Sequence, residues 1–135
     1  SYLPKPVSLS KLPGVDSNVI SILAENGIKN SRHMYERACT ESDRKLLSEM
    51  IGLSSDVLKE IVGLSDLVRA YGVGPVFARI LFDTGIHSIQ ELIQYTSEEI
   101  IQLYEDKFHQ KADFSLRDMN FSLEIAKSLY LGVDF

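Results

Sequence analysis

Apolar residues recur along the chain at the spacing of helices. Leu46, Leu47, Met50 and Ile51 form one stripe, and Val57, Leu58, Ile61, Val62 and Leu64 extend another. Ile100, Ile101, Tyr104 and Phe108 share a face, as do Phe121, Ile125, Ala126 and Leu129. Steps of three and four residues bring side chains to one side of an α-helix. No stretch alternates as a half-buried strand does, so the pattern predicts about eight short helices and no sheet.

Start and stop signals agree with that reading. Thr40, Ser54, Ser88, Thr96 and Ser115 each precede a helical run and can accept a bond from an orphan backbone N–H. Such a cap stabilises a helix by about 1 kcal/mol. Gly27, Gly52 and Gly85 follow helical runs, where a left-handed cap conformation favours glycine. Pro4 and Pro6 predict an extended arm over residues 1–8, because proline fixes its own torsion and restrains its predecessor.

The most informative feature is a self-match at an offset of 58 positions. Gly14-Val15 matches Gly72-Val73, Ile22-Leu23 matches Ile80-Leu81, and Gly27-Ile28 matches Gly85-Ile86. Glycines at the start permit a tight reversal between two helices. The valine can turn inward and plug the gap. Pro75 suits a first helical turn, where its missing N–H costs nothing, and Ser17 holds the matching position.

This pattern resembles the helix-hairpin-helix motif of DNA repair and recombination proteins. Gly72-Val73-Gly74, with Ala78 four positions on, is close to that signature. Over residues 9–131 the chain is similar to an uncharacterised bacterial domain family of tandem helix-hairpin-helix type, a domain of unknown function. Residues 67–86 carry most of that likeness. The resemblance implies one compact all-α domain over residues 1–135, SAM/helix-hairpin-helix-like, with two hairpin units. It implies no activity. A spacing of 58 exceeds what directly adjoining hairpins need, so residues 40–69 are expected to contribute to the fold.

The motif also implies a mode of binding. Backbone N–H groups of the hairpin and of the next helix start point at a phosphate, helped by the helix dipole. Gly72, Val73 and Gly74 would form the cradle, Val76 and Phe77 the next donors, and Arg79 and Arg69 the cations. Gly14, Val15, Ser17, Asn18 and Lys11 make a weaker second copy, because Asp16 replaces a glycine there and a carboxylate repels phosphate. Tight turns want glycine whatever they bind, so a purely structural reading stands beside this one.

Charge weighs against nucleic acid. The 135 residues carry a formal −5, whereas duplex binding draws on lysine and arginine releasing counterions. Arg69 and Arg79 face Asp66, Asp83 and Glu91 around the second hairpin. Lys11, Lys29, Arg32 and Arg37 outnumber Asp16, Glu25 and Glu36 around the first. Residues 97–113 are acidic and read as a solvated face.

Other chemistry finds no support. His33, His87, His109 and Cys39 lack metal-ligand spacing, and one cysteine permits no internal disulfide. No phosphate-binding loop, dinucleotide fingerprint or nucleophile elbow occurs, so neither an enzyme nor a cofactor is expected. Tyr71, Phe77, Phe82, Tyr95, Tyr104 and Phe108 read as core. No leader or long apolar run is present, so a cytoplasmic chain without membrane contact is expected. The leading expectation is non-catalytic, sequence-independent DNA binding through a hairpin; the alternative is a protein-interaction or scaffold module on the same fold.

Overall fold

The computed structural model describes residues 5–129 and 131–135, with the backbone alone of Leu116. Among the described residues are eight α-helices and one short 3-10 turn, Leu9–Lys11. The helices are α1 (Ser17–Glu25), α2 (Ser31–Ala38), α3 (Glu41–Ile51), α4 (Ser55–Leu67), α5 (Pro75–Asp83), α6 (Ile89–Leu92), α7 (Ser97–Phe108) and α8 (Leu116–Ala126). No strand occurs among those residues; Ser8 and Asn30 form one isolated bridge.

α4 is the axis of the fold. It packs against α2, α3 and α5, while α7 pairs with α8. Every residue from 61 to 70 is buried. A helix covered on all sides cannot be read from a one-sided stripe, and here the buried positions include Gly63, Ser65, Asp66 and Arg69. Gly63 leaves room for a neighbour: a Cβ there would stand 2.6 Å from the His87 carbonyl oxygen and 2.9 Å from the Phe82 ring. Residues 40–69 thus supply the helix around which the others assemble.

The caps form where their side chains predict. Thr40, Ser54, Ser88, Thr96 and Ser115 each accept a bond from the backbone N–H three residues on. At Thr96 the box is reciprocal, with the Glu99 carboxylate accepting from the Thr96 N–H. Asn30 caps α2 in the same way, and Asp16 caps α1 by accepting from the Asn18 N–H two residues on. The expected arm falls in part on residues 1–4, which lie outside the described residues; residues 5–7 belong to no helix or strand. The Ser31 N–H donates to the Val7 carbonyl at 2.7 Å, and the Val7 N–H donates to Ser31 Oγ at 2.9 Å.

Three apolar expectations change. Of the apolar residues on α3 only Leu47 is buried, while Leu46 and Met50 are exposed. On α8 the core face is Met119, Leu123 and Ala126, and Phe121 points away from it. Tyr71 is exposed rather than core. α8 carries apolar residues on two sides, and one helix face suffices to cover α7, so the other is left open.

Buried Arg44 ties down the end of the described chain. Its guanidinium donates to the carbonyls of Ala38 at 2.9 Å and Cys39 at 2.8 Å, and to Asp134. The Phe135 ring lies 5.2 Å from it in a cation–π contact.

Candidate functional site

The two glycine turns share their backbone. Gly14 and Gly72 both stand at φ +80, a conformation that a side chain disfavours. Helices α1 and α5 then start at Ser17 and Pro75 and end at Glu25 and Asp83. Beyond them the N–H groups of Ile28 and Ile86 donate to the carbonyls of Leu23 and Leu81 at 2.9 and 3.0 Å. Both isoleucines are fully buried. Val73 turns inward and is buried, and Val15 is partly so.

The starts of the two following helices differ. The Asp16 carboxylate accepts from the Asn18 N–H at 2.7 Å, so an internal anion already occupies the α1 N-terminus. Ser17, Asn18 and Lys11 are exposed around it. At α5 the capping position is Gly74, and no side chain caps the helix. Gly74 has φ −84 and ψ 179, the extended backbone required before Pro75. A Cβ on Gly74 would meet nothing within 4 Å. Neither torsion nor crowding therefore demands glycine here. The first-turn N–H groups of Val76 and Phe77 have no partner within the helix by its geometry.

The predicted cations face inward. Arg69 is buried and pairs with buried Asp66 at 2.9 Å, with side-chain exposures of 1% and 3%. Its guanidinium also lies 4.4 Å from the Tyr35 ring centre. The second Asp66 oxygen accepts from the Ile89 N–H at 2.8 Å. Burial pushes the Asp66 carboxyl above its ordinary range, and Arg69 and the Ile89 N–H partly offset this. Arg79 donates to the Pro13 carbonyl at 2.7 Å and pairs with Glu60 at 2.8 Å and Asp83 at 3.3 Å. Its three partners are protein groups, and one belongs to the first turn.

Beside the second turn lies an apolar groove that the stripes did not anticipate. It has a volume of about 610 Å³. Tyr71 and Gly72 form its head, Val76, Phe77 and Ile80 of α5 one wall, and Met119, Phe121 and Ser122 of α8 the other. Tyr71 and Phe121 meet edge to face with ring centres 5.5 Å apart, yet remain 60% and 57% exposed. Phe77 packs on Phe114 at 5.1 Å and closes the floor. Asp113 and Asp118 line the rim, and no lysine or arginine does. Asp113 thus borders an apolar surface, where the sequence predicts a merely solvated face. The legible signal was the doubled apolar pattern of α8; which side faced out depended on α7.

Among the described residues no three His, Cys, Asp or Glu side chains cluster as metal ligands. Cys39 donates its S–H to the Tyr35 carbonyl, and burial pushes its thiol up to about 11. Among the described residues no helix is long and apolar enough to cross a membrane.

The chain belongs to the family described as domain of unknown function DUF4332, whose model matches residues 13–127. No curated protein and no solved structure matches the chain.

Proposed function

We propose that this member of the DUF4332 family is a non-catalytic protein-interaction module whose binding face is the groove between the second turn and α8. The observation that carries this reading is the exposed Tyr71–Phe121 pair with Val76 beside it, the last 65% exposed. A contiguous apolar surface of large side chains on a folded domain marks an interaction site. Aromatic residues are also the side chains that most often dominate binding energy. The two turns are read as copies of one helix-hairpin-helix unit, on the strength of their equal φ at Gly14 and Gly72 and their equally placed helices.

A second reading is sequence-independent duplex binding through the second turn. It is favoured by Gly74, which leaves the α5 N-terminus without a side-chain cap although space and torsion would admit one. Such an end can receive a phosphate. Arg69 and Arg79 lend it little, because both are engaged within the protein.

The test is photo-crosslinking from position 71 in cells that make the chain naturally, with benzoylphenylalanine replacing Tyr71. A discrete protein adduct that disappears in a Phe121→Ser background is the expected result. Adducts that are nuclease-sensitive instead, or no adduct at all, overturn the interaction reading.

A further inference from the structure

The rim of the groove defines the chemistry of its occupant. We infer that it receives a peptide segment of another protein in which apolar side chains are flanked by lysine or arginine; this rests on the interaction reading above. The volume of about 610 Å³ lies within the roughly 300–1,000 Å³ typical of small-ligand sites. It therefore suits a few side chains rather than a domain face. The apolar lining would take those side chains against Tyr71, Val76 and Phe121.

Charge then selects among occupants. Asp113 and Asp118 are exposed carboxylates on the rim, with no cation among the lining residues. A second copy of this chain docking by the same face would bring four carboxylates together, because a two-fold interface pairs a patch with itself. Nucleic acid and anionic lipid surfaces would present phosphate to the same carboxylates. A cationic segment alone gains from both features of the surface, since complementary charge steers encounter and suppresses wrong partners.

The experiment selects a phage-displayed library of random linear peptides on the full chain. Parallel selections use a Tyr71→Ser/Phe121→Ser chain and an Asp113→Asn/Asp118→Asn chain. All altered side chains are exposed, and thermal melts verify that both variants fold. Val76→Ser, at another exposed position, serves in place of the first variant if that melts early. The expected outcome is enrichment of peptides with apolar residues flanked by lysine or arginine. Their synthetic versions should lose on the order of tenfold or more in affinity on the serine variant. On the asparagine variant they should lose about threefold, with a shallower dependence on salt. Peptides that need Tyr71 and Phe121 but show no excess of basic residues would overturn this inference and leave the interaction reading standing. Failure to select any peptide that depends on Tyr71, Phe121 or Val76 would overturn both.

Discussion

Three guanidinium atoms of Arg79 stand 3.0 Å from the point where a side chain on Gly14 would begin. The same guanidinium donates to the Pro13 carbonyl 66 positions away in sequence. A residue read as a phosphate ligand of the second turn is thus a fastener of the first. The α5 helix brings it there, and Glu60 on α4 balances its charge.

This contact makes Gly14 more demanding than its torsion alone. Gly14 and Gly27 have nearly equal φ, +80 and +81, but a Cβ on Gly27 would meet nothing within 4 Å. Left-handed backbone costs a side chain about 1–2 kcal/mol. Gly27→Ala should therefore lose about that much, and Gly14→Ala about 1 kcal/mol more through displaced Arg79. Urea unfolding midpoints of the two variants check the difference, which should vanish in an Arg79→Ala background.

Gly74 predicts the opposite behaviour. Asp at a helix N-cap is better than Gly by only a few tenths of a kcal/mol, so Gly74→Asp should leave the melting temperature unchanged or slightly raised. It would also place a carboxylate where the duplex reading puts a phosphate. A mobility-shift assay at two salt concentrations separates the outcomes. A shift by the wild type that Gly74→Asp abolishes supports duplex binding. No shift at low salt removes that reading.

The Asp66–Arg69 pair lies in the buried stretch of residues 61–70, so breaking it should be severe. Arg69→Ala leaves Asp66 without its cation and should cost about 3–5 kcal/mol at neutral pH. The penalty should shrink on acidification. Burial raises the folded-state pKa of Asp66 above its ordinary 3.8, so the folded variant keeps a proton that the unfolded chain releases. Stability therefore rises as pH falls from neutral toward 3.8. Denaturation of the variant at several pH values measures this; an unchanged penalty at low pH would contradict it.

Cys39 should behave as an inert thiol. Its folded value is pushed up to about 11 from an ordinary 9.0. Between those values the folded state binds the proton more tightly, so this group's contribution to stability is full below pH 9 and is lost as pH rises toward 11. Alkylation of the native chain by iodoacetamide should be slow near pH 8 and reach half of its plateau only near pH 11. A half-plateau near pH 9 would show that burial does not control the group.

Much of the fold was written locally. Caps at Thr40, Ser54, Ser88, Thr96 and Ser115 and left-handed glycines at 27, 52 and 85 act over a few residues, so sequence alone determined where helices begin and end. The match between Gly14 and Gly72 likewise announced two equal turns before any packing was known. What tertiary structure decided was the destination of each side chain. Apolar periodicity names faces without saying which face is covered, and α8 had two of them, so Phe121 was free to stand open beside Tyr71. Charge has no periodicity at all. Arg69 entered the interior and Arg79 folded down against the surface because Asp66, Glu60 and the Pro13 carbonyl came to meet them, and a long flexible cation goes where its partners are.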